Sequence, residues 1–256
     1  MKGLIYREVY LIRKPVSMML IAYVIFLVMF SLIMISTYAG NLAKDDSAQD
    51  TCKYLYSMMY IYAACIAIGG TVLGHNDMIE KDYKSKWQLY SYTLPLNEKK
   101  VAASKFIVRG GLLLIGFVLA VLADIILSAA AKKPISFSHF KNMLLFLLLY
   151  GAVCIADIPL LLRMKSQAKA MAVALAVLAP IFAGLAYGGY KFIKFCYAEG
   201  ARLYPGMADD SSMKKVAMSY LSEYRETLMW AAPFIFAGSA ALCYFLTVKE
   251  LKRRRY

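Results

Sequence analysis

Six long apolar runs constrain this chain more than any other feature of its sequence. Hydrophobic residues fill 61% of its 256 positions, against about 45–50% in a soluble domain. A helix needs roughly 20 apolar residues to cross a bilayer. The runs of that length are Val16–Tyr38, Tyr54–Leu73, Gly110–Ala131, Met143–Leu162, Ala170–Tyr190 and Met229–Val248. We therefore predict an all-α integral membrane protein in which one domain, residues 1–256, contains six transmembrane helices.

Lysine and arginine residues predict which side of the membrane holds the termini. An even number of spans places both termini on one side. That side, with loops 74–109 and 163–169, carries 19 of the 30 basic residues and six acids. The other side carries 11 basic residues and eight acids. Because positive charge is enriched in cytoplasmic loops, both termini are predicted to be cytoplasmic. The basic residues are spread over several loops rather than gathered on one folded domain, which argues against nucleic-acid binding. The basic tail 249–255 is interpreted as a lipid-headgroup anchor.

The first fifteen residues have the pattern of an amphipathic helix rather than of a span. Ile5, Val9 and Ile12 recur at helical spacing among basic residues. Such a segment is typical of a helix that lies in the membrane interface, here on the cytoplasmic side. Pro15 marks the predicted break before the first span.

The longest outer loop, 191–228, contains a second amphipathic pattern. Pro205 and Gly206 precede it, and Asp209 and Asp210 mark its beginning. The residues that carry the pattern are Lys214, Lys215, Val216, Met218, Tyr220, Leu221, Tyr224 and Arg225. We interpret this extracellular segment either as an exit gate or as a cap on the helices.

No catalytic or metal-binding motif occurs in the sequence. The two histidines, His75 and His139, have no His or Cys partner at metal-ligand spacing. The chain also contains no phosphate-binding loop of the form G-x-x-x-x-G-K-[ST]. We therefore expect a chain that is not an enzyme, binds no cofactor and takes any energy for transport from a partner chain or an ion gradient.

The five cysteines form no C-x-x-C pair. Cys65, Cys154 and Cys243 fall within apolar runs and are interpreted as packing residues. Cys52 and Cys196 fall in predicted outer loops, where an oxidising compartment would permit a disulfide between them.

Two carboxylates, Asp124 and Asp157, interrupt the apolar runs. A charge at the centre of a membrane helix costs about 2.5–3.5 kcal/mol on insertion scales. One hypothesis makes them the ion sites of a secondary transporter or channel, and the other gives each a helix-end or interhelical hydrogen bond. Neither lies clearly at the midplane, where coupled-ion sites are expected. A membrane scaffold or sensor that transports nothing is a third hypothesis.

The fifth run carries a stripe of small residues. Ala172, Ala176, Gly184 and Gly188 share the four-residue spacing that Pro180 continues. Small residues allow another helix backbone to approach closely. The stripe predicts either packing within the chain or the face of a homodimer.

The cytoplasmic segment 75–105 is polar and too long for a tight turn. Met78, Trp87 and Tyr90 offer an apolar side, and acids and bases occupy much of the rest. This pattern predicts an amphipathic helix, ending at Pro95, that lies on the membrane or docks in the groove of a partner.

Two motifs resemble those of the type-2 ABC exporter permeases of bacteria. The first motif has three parts: an acidic stretch, the pattern Lys-x-Trp-x-x-Tyr-x-x-x-Leu-Pro, and a Ser-Lys-Phe sequence that leads into a span. Its residues here are Glu80, Asp82, Lys86, Trp87, Tyr90, Leu94, Pro95, Ser104, Lys105 and Phe106. The second is Ile158, Pro159 and Leu160, followed by Arg163, Lys165 and Lys169. Within that family the chain resembles the small stand-alone permeases of Pmt-type exporters, which move amphipathic peptide toxins such as phenol-soluble modulins.

The resemblance implies a permease of the bacterial plasma membrane that borrows its ATPase from another chain. The segment 75–105 would be the coupling helix, held in a cleft of the ATPase. Two permeases, expected to be identical, and two ATPases would form the working unit, with ATP and Mg²⁺ bound by the ATPases. Amphipathic peptides or similar hydrophobic compounds would be the substrates, and antibiotics and lipids remain alternatives. The residues expected to contact the ATPase are Asp77, Glu80, Asp82, Lys86, Trp87 and Tyr90, with the two aromatic side chains as buried anchors.

Overall fold

The computed structural model describes residues 2–39, 46–84, 97–206 and 209–255. Within these ranges the chain forms six helices and no strand. They are α1 (Lys2–Ala39), α2 (Asp46–Lys84), α3 (Glu98–Ala130), α4 (Phe137–Met164), α5 (Gln167–Leu203) and α6 (Asp209–Arg255). Each carries one of the predicted apolar runs and is long and apolar enough to cross a membrane. The prediction of an all-α chain with six helices of this kind is confirmed.

The helices are much longer than the apolar runs inside them. Helix α6 has 47 residues, about 70 Å at 1.5 Å per residue, whereas the hydrocarbon core is about 30 Å thick. Amphipathic helices were predicted within segments 75–105 and 191–228. In the described residues the first segment contains the end of α2 and the start of α3, and the second contains the end of α5 and the start of α6. Hydropathy marks where a helix can enter lipid, and it does not mark where the helix ends.

Local sequence explains several of the helix ends. Asn97 caps α3, because its side chain accepts a hydrogen bond from the backbone N–H of Lys99 at 2.9 Å. Ser136 caps α4 in the same way. Helix α6 begins at Asp209, as predicted from Pro205 and Gly206 before it and from Asp209 and Asp210 at its start.

The predicted break at Pro15 is wrong. Helix α1 continues without interruption from Lys2 to Ala39, with Pro15 inside it. Proline removes one backbone hydrogen bond from a helix, but packing against a neighbouring helix can compensate for that loss in membrane proteins. Here the ring of Pro15 lies beside Gly74 of α2, where a Cβ atom would stand 3.3 Å from the Cβ of Pro15.

The chain divides into two compact units. The first unit comprises Met1–Gln167 and Ile235–Tyr256. Its main core is formed by apolar residues of α1, α2 and α3, and a smaller core joins α2, α3 and α4. The second unit comprises Ala168–Phe234.

Helices α2 and α3 approach each other closely at Gly116. A Cβ atom there would lie 2.8 Å from the carbonyl oxygen of Ala67 and 2.8 Å from the Cα of Ile68. Both are backbone atoms, so neither can move aside alone. Alanines face the same core, with Ala63 and Ala67 on α2 and Ala120 on α3 fully or almost fully buried. Small side chains therefore set the short distance between these two helices.

The second unit contains the hairpin of α5 and α6. A Cβ atom at Gly200 would lie 3.0 Å from the backbone N of Met213, and Tyr220 of α6 packs edge-on against Phe192 and Phe195 of α5. Cys196 is fully buried. The side chain of Cys52 lies outside the described residues, so the disulfide that the sequence permits between Cys52 and Cys196 stays a prediction.

Candidate functional site

A group of polar side chains meets where α1 and α3 begin and α2 and α4 end, all within the first unit. We refer to it as the polar cluster. Seven of its members are at least nine-tenths buried, and five of these seven are ionisable, which is rare unless such groups are paired. The members are Arg7, Glu8, His75, Asn76, Asp82, Ser104, Lys105, Arg109 and Asp157.

Helical periodicity places these residues on facing surfaces. His75, Ile79 and Asp82 recur on one face of α2, and all three are buried. Lys105 and Arg109 are four residues apart on α3 and therefore lie on one side of that helix. Because the first unit packs these faces together, the polar side chains are enclosed rather than directed to the surface.

One chain of contacts joins α1 to α2 and α3 through His75. Arg109 donates from Nε to Nδ1 of His75 at 2.9 Å. The accepting Nδ1 carries no proton, so in the neutral ring the proton is on Nε2. That nitrogen lies 3.5 Å from Oε2 of Glu8. The histidine therefore stands between the arginine of α3 and the carboxylate of α1.

The same arginine extends the contacts to α4. Its Nη2 donates to Oδ1 of Asn76. Asn76 in turn donates from Nδ2 to Oδ2 of Asp157 at 3.4 Å. Asp157 thus has the interhelical hydrogen bond that one sequence hypothesis gave it, and Arg109 is the cation that attracts it.

A second chain of contacts runs through Lys105. Its Nζ lies 3.2 Å from Oε1 of Glu8 and 3.9 Å from Oδ2 of Asp82. Arg7 donates to both carboxylate oxygens of Asp82, the longer bond being 3.2 Å. Ser104 donates to Glu8 at 3.4 Å. Two neighbouring residues of α1 are thereby bonded to different helices.

The charges of the polar cluster balance. Three cations (Arg7, Lys105 and Arg109) face three carboxylates, with His75 neutral. The balance matters because an unpaired charge in a buried site costs several kcal/mol. The arrangement thus holds four helices by ion pairs and hydrogen bonds, while Nη1 of Arg109, Nε2 of His75 and Oε2 of Glu8 are buried without a hydrogen-bond partner among the described residues.

The residues predicted to contact an ATPase are only partly described. Asp82 is buried and paired with Arg7, so it faces the interior of the unit. Glu80 is half-buried on the same helix. The side chain of Asp77, together with Lys86, Trp87 and Tyr90, lies outside the described residues. The docking role of these residues stays a prediction.

Asp124 belongs to a separate site. It is buried, and His139 Nδ1 lies 3.0 Å from its Oδ1. The ring of His139 also stacks on Tyr60 at 4.0 Å between centroids. His139 and Asp157 are 18 residues apart on α4, about 27 Å along the helix. The two carboxylates therefore do not form one ion-binding site.

The small residues of the fifth run are exposed. Ala172, Ala176, Gly184 and Gly188 all have open surface. Among the described residues, no heavy atom lies within 4 Å of the position of a Cβ at either glycine. Within the described residues of the second unit, the stripe is thus not packed against a neighbouring helix, and its role stays a prediction.

Most of the polar cluster is not predicted by the sequence motifs, although the sequence contains a signal for it. Ser104 and Lys105 belong to the motif that leads into the third span, and both contact Glu8. Polar residues recurring every three or four positions beside an apolar run indicate a buried polar face. His75, Asp82 and the 105–109 pair follow that rule.

Comparison with known proteins identifies one family. Residues 3–250 match the family described as "ABC-2 family transporter protein". No curated protein and no solved structure matches the chain.

Proposed function

The chain belongs to the ABC-2 family of transporter proteins, and on that basis we propose that it is the permease of a bacterial exporter driven by a separate ATPase. Membership makes it a multi-pass membrane protein and a transport component of an ABC transporter, with an ABC ATPase as its partner. We further propose the direction of transport, the contact that couples the permease to the ATPase, the number of subunits and the class of substrate.

The polar cluster is the observation that supports the coupling part. It surrounds the two helix ends that flank residues 85–96, where the resemblance places the centre of the coupling helix. Asp82 on α2 is bonded to Arg7 of α1, and Lys105 on α3 is bonded to Glu8 of the same helix. A movement of residues 85–96 therefore reaches α1 through buried ion pairs.

Such a connection transmits movement because buried ion pairs are not easily exchanged for water. The Nη1 of Arg109 has no hydrogen-bond partner among the described residues, so a different arrangement of the helices can still give this nitrogen a hydrogen bond. A second arrangement of similar free energy is what an alternating mechanism needs. ATP and Mg²⁺, bound by the partner, would bias the permease between the two arrangements.

Replacing Trp87 and Glu80 together with alanine is expected to release the ATPase. Aromatic anchors at the centre of an interface contribute about 2 kcal/mol or more, so the amount of co-purified ATPase should fall at least about tenfold. The measurement is a pull-down of the co-expressed ATPase by the tagged permease. The matched control is Trp230→Ala with Glu226→Ala, because both residues are exposed on α6. Undiminished ATPase binding by the Trp87 and Glu80 variant would refute the proposed coupling contact.

The stoichiometry of two identical permeases is supported by the exposed stripe on α5. Only 6% of the most apolar 18-residue segment of α5 is buried within the structure. Small residues permit close contact between helices in lipid. A symmetric pair would bring one stripe against the other. The substrate path would then lie between the two subunits.

Gly184→Leu is expected to weaken this pairing. The added side chain separates two helix backbones that the small residues allow to touch, and the dimer fraction should fall about tenfold, measured by light scattering in detergent. Gly189→Leu is the control, because it is equally open but does not belong to the stripe. A dimer fraction that is the same in both variants would contradict the assignment of this face.

The substrate proposal is an amphipathic peptide or similar hydrophobic compound, as in Pmt-type toxin exporters. It is supported by the sequence resemblance and by large apolar side chains exposed on the second unit, such as Phe182, Leu185 and Trp230. Both termini are proposed to be cytoplasmic, because the basic residues are concentrated on their side.

A further inference from the structure

A groove runs between α4 and the end of α6, entirely within the first unit. Its volume is about 460 Å³, inside the range of about 300–1,000 Å³ that holds small ligands. Its lining changes along its length. The apolar part is formed by Ala156, Pro159, Leu160, Leu242, Cys243 and Leu246, and the polar part by Arg163, Lys249, Glu250 and Arg253.

The two parts of the groove correspond to two depths in the membrane. Leu160 and Leu246 lie inside the predicted spans. Arg163 and Lys249 follow directly after the spans end, and Arg253 lies one helical turn beyond Lys249. A phospholipid has the same order, with acyl chains in the hydrocarbon and a phosphate at the boundary. Basic residues between helices at that boundary are suited to an anionic headgroup.

We propose that this groove binds one anionic phospholipid, with an acyl chain along the apolar part and the phosphate among Arg163, Lys249 and Arg253. Three cations and one carboxylate line the polar part, which leaves a surplus of two positive charges. That surplus selects a headgroup with net negative charge over a zwitterionic one.

A second copy of the chain fits this groove poorly. A two-fold axis would place the same patch of both subunits face to face. Each patch carries the same surplus of positive charge, and like charges in contact disfavour an interface. An anionic lipid, by contrast, neutralises the surplus.

The test measures lipid binding to the purified full-length chain in detergent by native mass spectrometry. Phosphatidylglycerol is the anionic probe, and phosphatidylcholine and inorganic phosphate are the comparison probes. Changing Arg163, Lys249 and Arg253 to glutamine should weaken phosphatidylglycerol binding about a hundredfold, since each base near a membrane surface contributes roughly fivefold. The control changes Lys100, Lys165 and Lys252, three bases of the same unit that do not line the groove, and should alter binding by less than about threefold.

A second variant, Ala156→Phe, tests the apolar part with all charges kept. The phenylalanine side chain should fill the groove and displace phosphatidylglycerol. If the triple variant does not fold, this variant tests the proposal instead. Equal losses in the triple variant and its control would overturn the proposal. So would inorganic phosphate competing as well as the lipid at millimolar concentration, which would indicate an anion site alone. A groove variant that changes the number of subunits but not lipid binding would make the groove a subunit interface and would also overturn it.

Discussion

Glu8→Ala is expected to lower the free energy of unfolding by about 3 kcal/mol, the lower end of the range for breaking a buried ion pair, because the buried Lys105 loses the nearer of its two carboxylates. Glu8 contacts both His75 and Lys105, and its side chain is only 4% exposed. Without it, Lys105 retains Asp82 at 3.9 Å as its ion-pair partner. The measurement is the thermal or denaturant unfolding midpoint of the purified chain in detergent.

The control for Glu8 is Glu226→Ala. Glu226 is exposed on α6, and changes at exposed positions usually stay within about 0.5 kcal/mol. A third variant, Glu8→Ala with Lys105→Met, removes both charges of the pair and should recover part of the loss, as coupled neighbours do. If Glu8→Ala were no more damaging than Glu226→Ala, the polar cluster would not hold α1 in place.

Gly116→Ala is expected to destabilise the chain by about 3 kcal/mol, near the upper end for overpacked sites. The new Cβ would lie 2.8 Å from backbone atoms of Ala67 and Ile68, so the clash is relieved only if α2 and α3 separate. That separation would also disturb the contact between His75 and Arg109, since these residues lie on the same two helices. The unfolding midpoint in detergent is again the measurement.

Gly111→Ala on the same helix provides the matched control. No heavy atom of the described residues lies within 4 Å of a Cβ at Gly111. Alanine is the better helix former by about 1 kcal/mol, so this variant should be slightly stabilised. Opposite signs at two glycines five residues apart would confirm close packing at Gly116, whereas equal tolerance would show that α2 and α3 do not approach closely there.

Much of the fold was predictable because hydropathy is a property of consecutive residues. Each of the six apolar runs became part of a helix, and Asp209 begins α6 as the neighbouring residues indicated. The errors concern continuity. Pro15 does not break α1, and the polar helical segments predicted apart from the spans are, in the described residues, continuous with the long helices α2 and α6. Polar residues outside the lipid can still form helix, and hydropathy does not report that.

The candidate site was less predictable. Asp82 has the acidic character expected of a docking residue, but its position on α2 directs it inward to Arg7. Asp157 has the interhelical partner that one hypothesis required, whereas the identity of that partner, Asn76, had no signal in the sequence. Asp124 and His139 were each noted, and nothing in the sequence indicated that they pair.

The sequence by itself determined the class of the protein and the number of helices long and apolar enough to cross a membrane, since both depend on composition along a short stretch. Only the tertiary structure decided which charges meet. Glu8 and Lys105 are separated by 97 positions, and their contact depends on how three helices rotate and pack. That choice follows from the close approach of backbones at positions such as Gly116 and from the cost of burying a charge alone, which no single stretch of sequence contains.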